Sequence, residues 1–141
     1  MAAKDYKLEL LRGCSLFRGL GKKDLELVGR LADEIDVPAG KMLIKQGTSG
    51  HEFFIVIEGS LGVERDGARL RTLGPGDFAG EIALIDGGLR TASVSADTPA
   101  RLLVVGHREF FSLLEEYPEI QIQVLQALAH RVRVSEPAGI H

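Results

Sequence analysis

Residues 53–73 read FFIVIEGSLGVERDGARLRTL, and this stretch decides the fold class. Phe53–Ile57 is an apolar, β-branched run of the kind that forms buried strands. Leu61–Arg65 and Arg69–Leu73 are two further strand patterns, and Asp66-Gly67 between them is a strong signal for a two-residue hairpin turn. The stretch therefore predicts a buried strand followed by a β-hairpin.

Short strands continue on both sides of this hairpin. Apolar and polar residues alternate upstream between Ile35 and Ile44, around the turn Pro38-Ala39-Gly40. Downstream, Ala92–Ala96 and Leu102–Val105 have the same character. The spacing is typical of a roll or barrel of about eight short strands.

Helical periodicity replaces the strand pattern at both ends of the chain. Phe17 and Leu20 are predicted to be buried in a tight turn between N-terminal helices, and Pro118 is well placed to begin the last helix. We expect one α+β, mainly β domain over residues 1–141. Its predicted parts are N-terminal helices (1–33), a β-roll (34–106) with a ligand-binding segment (80–94), C-terminal helices (107–134) and a tail (135–141).

Composition excludes several classes of function. The chain has 141 residues and a net charge of −3, which suits a single core and gives no general basic field for nucleic acid. Cys14 is the only cysteine, which excludes an intramolecular disulfide and indicates a reducing compartment. No apolar run approaches the ~20 residues that span a bilayer. We expect a cytoplasmic protein that binds neither membranes nor nucleic acid.

Residues 80–94, GEIALIDGGLRTASV, carry the chemistry. Gly80 allows close approach to the backbone, and Glu81–Ile85 could form a short helix whose free N–H groups attract an anion. Arg90 follows a Gly-Gly turn. Because a charge in an otherwise apolar loop is costly to desolvate, Glu81 and Arg90 together predict a ligand with an anionic group and neighbouring hydroxyls.

This segment resembles the phosphate-binding cassette of the cyclic nucleotide-binding domain family. Gly80–Leu84 and Arg90–Val94 match its two halves, and upstream turns such as Gln46-Gly47 and Gly74–Asp77 match the family's strand-and-turn signature. The similarity covers roughly residues 15–134 and implies an antiparallel, jelly-roll-like double-stranded β-helix. Two departures are Ala79 and Leu89, where the family usually has an aromatic residue and a proline.

The resemblance also implies how each contact residue acts. Glu81 would accept from the ribose 2′-hydroxyl, and Arg90 would pair with the cyclic phosphate. The N–H groups of Ile82 and Ala83 would bind phosphate oxygens, and Thr91 would add a hydroxyl donor. The complete predicted contact set is Gly80, Glu81, Ile82, Ala83, Arg90, Thr91 and Ala92.

Base identity and output are less constrained. In the family, a hydroxyl at the position of Thr91 can reach the amino group of guanine, but similar channel domains with the same Arg-Thr-Ala-Ser run bind both nucleotides and usually favour cAMP. The resemblance therefore favours cAMP and leaves cGMP open. The resemblance implies that the last helix caps the base, with Leu125, Leu128 and Ala129 as the candidates for apolar cover. We expect a regulatory module whose C-terminal helix changes packing when nucleotide binds, with an unidentified protein effector or a second copy docked on that helix as partner. No cofactor is expected besides the nucleotide.

Three alternative functions can be compared with the sequence. A metal-dependent, cupin-like enzyme would need clustered histidines, but the four in this chain, His51, His107, His130 and His141, are scattered, so we expect neither catalytic residues nor a metal. A transcription factor would need a recognition helix after the last helix, and none is apparent. A degenerate roll that only contacts protein would lack the charged pair Glu81 and Arg90.

Overall fold

The computed structural model describes residues 3–14, 17, 19–80 and 89–135. Helices α1 and α2 precede the strands, and helices α3 and α4 follow them. Their bounds are α1 Ala3–Arg12, α2 Lys22–Leu31, α3 His107–Glu116 and α4 Pro118–Ser135. The strands are β1 Ala32–Val37, β2 Met42–Ile44, β3 Glu52–Glu58, β4 Leu61–Arg65, β5 Ala68–Leu73, β6 Phe78–Ala79, β7 Ser93–Ala96 and β8 Ala100–Gly106.

The eight described strands form two antiparallel four-stranded sheets. One has the order β1-β8-β3-β6 and the other the order β2-β7-β4-β5. Strands distant in sequence are therefore neighbours, as in a roll. The predicted fold class, an antiparallel β-roll with flanking helices, is confirmed. Strand β1 begins at Ala32, two residues before the predicted start of the roll at residue 34.

Strand β3 is covered on both of its faces, which explains its unbroken apolar sequence. All five residues from Phe53 to Ile57 are buried. Phe53, Ile55 and Ile57 face a core shared with the helices, whereas Phe54 and Val56 face the interior of the roll. Since alternate side chains of a strand point to opposite faces, one sheet separates two cores.

The hairpin forms at the predicted turn. Strands β4 and β5 pair from Leu61 with Leu73 to Arg65 with Ala68. Asp66 and Gly67 both have positive φ, 52° and 83°, as a type I′ turn requires. The side chain of Gln46 also exchanges two hydrogen bonds with Asp66, both 2.9 Å long, and so ties this hairpin to the turn before β3.

Helices close the roll on the outer face of the first sheet. Phe17 and Leu20 are buried as predicted, and α4 begins at Pro118 as predicted. The ring of Phe110 lies 5.3 Å from that of Phe53 and 6.1 Å from that of Phe17. These three rings join α3, β3 and the N-terminal turn in one core. No described helix combines the length and apolarity that a membrane span requires.

An exposed ion pair connects β5 with the turn after β7. Arg69 crosses the middle strand β4 at Gly62 and donates to both carboxylate oxygens of Asp97, at 2.9 and 3.0 Å. A Cβ on Gly62 would lie 2.4 Å from Nη1 of Arg69, so the crossing needs a glycine. These hydrogen bonds and the attraction of opposite charges lower the pKa of Asp97 and raise that of Arg69.

The G62A substitution should displace Arg69 and return the pKa of Asp97 towards its ordinary value. Because folding lowers this pKa, the pair stabilises the fold above the unfolded-state pKa of aspartate, and the contribution disappears as the pH falls through the folded value. Both groups are exposed, so the change in stability should be small. An NMR titration of the Asp97 carboxyl measures the effect directly, with R69Q as the control. An unchanged pKa of Asp97 in G62A would contradict the conclusion that Arg69 needs a glycine at residue 62 to reach Asp97.

Candidate functional site

Arg90 is buried, with 7% of its surface exposed, and no other charged residue is buried among those whose side-chain burial is described. Its guanidinium donates from Nη2 to the carbonyl of Glu52 at 2.6 Å and from Nη1 to the carbonyl of Gly80 at 3.1 Å. Both acceptors are main-chain carbonyls, and they orient the planar guanidinium. A guanidinium can bind an anionic group through charge-assisted hydrogen bonds.

Backbone hydrogen bonds hold Arg90 on both sides. Its N–H donates to the carbonyl of Thr48 at 2.8 Å, and its carbonyl accepts from the N–H of Gly47 at 2.9 Å. Residues 47 and 48 belong to the turn between β2 and β3. The arginine is therefore fixed by a segment about forty residues away in sequence.

Two glycines provide the space around the guanidinium. Gly80 has φ +97°, and a Cβ there would lie 2.7 Å from Nη1 of Arg90. A Cβ on Gly50 would lie 1.8 Å from Nε of the same side chain. The sequence singles out Gly80, although for close approach of a ligand and not for contact with Arg90, and it does not single out Gly50, whose only signal is its position in a glycine-containing turn. The carbonyl of Glu52 gives no sequence signal, since every residue has one.

The residues after Arg90 lead into strand β7. Thr91 is exposed, and its carbonyl accepts from Nε of Arg65 at 3.0 Å. Ala92 packs partly buried against the interior of the roll. Ser93 accepts through its hydroxyl from the N–H of Gln46 at 2.9 Å. The start of β7 is thus tied to both β4 and the turn after β2.

The structure brings Gly80 and Arg90 together and places Thr91 and Ala92 immediately beyond, whereas the ligand contacts predicted for these four residues stay predictions. Glu81, Ile82 and Ala83 lie outside the described residues, and so does the short helix expected over residues 81–85. Their assignment to the ribose and phosphate stays a prediction.

Helix α4, which carries the predicted base cap, is anchored by its first turns. Ile120 is fully buried, although the helical pattern does not single it out, and the side-chain amide of Gln121 donates to the carbonyl of Leu114. Farther along, Leu125 is 56% exposed and Ala129 is exposed too. The side chain of Leu128 lies outside the described residues. The capping role of these three residues stays a prediction.

Two of the scattered histidines meet at a cleft between the helices and the first sheet. The cleft has a volume of about 760 Å³ and is lined by residues that include His51, His107, Arg30 and Glu109. The N–H of His107 donates to the carbonyl of His51 at 2.6 Å. Among the described residues, no group of three histidine, cysteine or carboxylate side chains is arranged to hold a metal ion.

The structure thus combines a β-roll between helices with a buried arginine that main-chain carbonyls hold beside a left-handed glycine. Residues 34–117 match the cyclic nucleotide-binding domain family. The chain belongs to this family.

Individual relatives have regulatory roles. The chain is 29% identical over 130 residues to the CRP-like cAMP-activated global transcriptional regulator of Mycobacterium tuberculosis, which covers 89% of this chain and 58% of the regulator. The regulatory domain of Toxoplasma gondii PKA, solved with cAMP, has a TM-score of 0.72 at 32% identity, over 78% of this chain and 44% of that one. The N-terminal domain of a Streptomyces coelicolor transcriptional regulator has a TM-score of 0.77 at 31% identity, over 94% and 98% of the two chains.

Proposed function

We propose that this chain binds a cyclic nucleoside monophosphate, with cAMP preferred over cGMP, and acts as a non-catalytic regulatory module. The observation that carries the proposal is the buried guanidinium of Arg90, which donates to the carbonyls of Gly80 and Glu52. A cyclic phosphate brings one negative charge and exposed oxygens, which match a planar guanidinium fork. Glu81 would accept from the ribose, and the N–H groups of Ile82, Ala83 and Ala92 would complete the phosphate site.

One finding supports cAMP as the preferred ligand, and one residue keeps cGMP as the second. The names of two of the similar proteins above include cAMP. Thr91, the residue whose hydroxyl would contact a guanine amino group, is exposed beside Arg90 and therefore leaves cGMP as the second ligand. We expect both nucleotides to bind, with cAMP tighter.

The regulatory output would pass through α4. This helix is fixed by Ile120 and Gln121, while Ile122 and Leu125 are 57% and 56% exposed. A nucleotide that contacts the exposed part of α4 in only one packing would shift the helix towards that packing. The partner would be a protein effector or a second copy docked on the exposed apolar residues. Nucleic-acid binding by this domain is not part of the proposal, because its net charge is −3.

The test is a calorimetric titration of nucleotide-free protein with cAMP, with cGMP and with linear 5′-AMP. We expect saturable one-site binding of cAMP, weaker binding of cGMP and little binding of 5′-AMP, which lacks the cyclic phosphate. Absence of binding by both cyclic nucleotides would contradict the proposal and favour a roll that serves only to contact another protein.

The E81A substitution should weaken cAMP binding by about 1.5–3 kcal/mol, as expected for loss of a hydrogen bond to a charged group. The matched ligand is 2′-deoxy-cAMP, which lacks the hydroxyl that Glu81 is proposed to bind. Wild type and E81A should bind 2′-deoxy-cAMP with similar affinity. An equal loss for cAMP and 2′-deoxy-cAMP would assign Glu81 to a different role.

A further inference from the structure

We propose that Gly50 is a positioning residue for Arg90: the space left by its missing side chain sets where the guanidinium lies. A Cβ at residue 50 would be 1.8 Å from Nε, 2.0 Å from Cζ and 2.3 Å from Nη2 of Arg90. The guanidinium of Arg90 thus occupies the position that a Cβ at residue 50 would take. The inference rests on the proposed function, because it concerns the same arginine.

Space, and not backbone conformation, is what Gly50 provides. The glycines with positive φ in the described chain include Gly47 at +82° and Gly80 at +97°, but Gly50 is not among them. An alanine is therefore compatible with the backbone at residue 50. The three heavy atoms nearest to its methyl group would all belong to the movable end of the Arg90 side chain, so the cost to the fold should be modest.

The turn that contains Gly50 is held from several directions, so the guanidinium must move and not the turn. The carbonyl of Thr48 accepts from the N–H of Arg90 at 2.8 Å, and the carbonyl of His51 accepts from the N–H of His107 at 2.6 Å. Glu52 is paired with Gly106 in the first sheet. A displaced guanidinium would leave its 2.6 Å hydrogen bond to the carbonyl of Glu52 and no longer point where Gly80 directs it.

The G50A substitution tests this inference, with G74A as its matched control. Gly74 also lies in a partly exposed turn without positive φ, but nothing lies within 4 Å of the position of its Cβ. We expect G50A to weaken cAMP binding about tenfold, the size of one charge-assisted hydrogen bond, while G74A binds as wild type does. Melting temperatures should show that both variants are folded.

A double-substitution cycle separates positioning from general damage to the site. If Gly50 acts through the guanidinium, G50A should cause no further loss of affinity in an R90A background. Two additive losses would mean that Gly50 affects binding by another route and would overturn the inference.

An NMR measurement keeps this inference separate from the proposed function. In ligand-free protein, the Nε–Hε signal of Arg90, assigned with R90K, should shift in G50A and stay in place in G74A. If wild type binds no cyclic nucleotide but the signal shifts, the proposed function fails and the positioning role stands. If wild type binds cAMP and G50A shows wild-type affinity with an unmoved signal, the positioning role fails alone.

Discussion

Replacing Arg90 with alanine should weaken cyclic nucleotide binding by about 2–5 kcal/mol, which is roughly thirtyfold to several thousandfold. The variant removes a cation that is 93% buried, given its 7% exposure, and that two carbonyls hold in place. An anionic ligand bound there would lose its counter-charge in a site of low solvent access, where an unpaired charge is most costly.

The fold should survive R90A because the backbone contacts of residue 90 do not depend on its side chain. The hydrogen bonds with Gly47 and Thr48 use main-chain atoms only. R12A is the control, since it removes the same charge from the exposed face of α1, where Arg12 contacts Glu9 of its own helix. R12A should bind cyclic nucleotide as wild type does. Calorimetry at one ionic strength compares wild type, R90A and R12A.

R90K should recover only part of the affinity. Lysine keeps the charge but lacks the planar fork that donates in two directions, here to Gly80 and Glu52. Wild-type affinity in R90A, with folding verified by its melting temperature, would reject Arg90 as the phosphate partner.

Replacing Phe110 with alanine should lower the free energy of unfolding by about 3–5 kcal/mol, a large part of the stability of a domain this size. Phe110 is fully buried, and its ring contacts those of Phe53 and Phe17 edge to face. The variant would leave a cavity where α3, β3 and the N-terminal turn meet. The melting temperature should fall by roughly 10–20 °C.

F111A is the matched control on the same helix. Phe111 is only partly buried and lies against the ring of His107, 4.7 Å away. Its removal opens no space between the three aromatic rings, so its cost should be about 1 kcal/mol, the typical effect of a point substitution. Urea unfolding of both variants gives the comparison. Equal losses would mean that the ring cluster is not the main contact of α3.

The parts of the fold that the sequence predicts correctly are those governed by local rules. Asp66-Gly67 predicts the hairpin because few dipeptides tolerate two positive φ angles. Pro118 predicts the start of α4 because proline favours a first helical turn. The exposure of Leu125 and the burial of Ile120 were harder to predict, because both lie on an apolar helix and the choice depends on what packs beside it.

The candidate site also has a part that local sequence patterns predict and a part that they do not. Its members Gly80 and Arg90 can be identified from the sequence, since a glycine-flanked loop with one arginine is a pattern along the chain. The contacts around the guanidinium cannot be identified from the sequence, because Gly50 is an ordinary glycine and Glu52 contributes a main-chain carbonyl.

The amino-acid sequence by itself determined a roll or barrel of short strands between helices and the segment that carries Glu81 and Arg90. Only the tertiary structure decided that Arg90 is buried between Gly50 and Gly80 and donates to a carbonyl 38 residues away. The physical reason is that turns and periodicity are set by neighbouring residues, whereas the position of a side chain is set by strand pairing between distant ones.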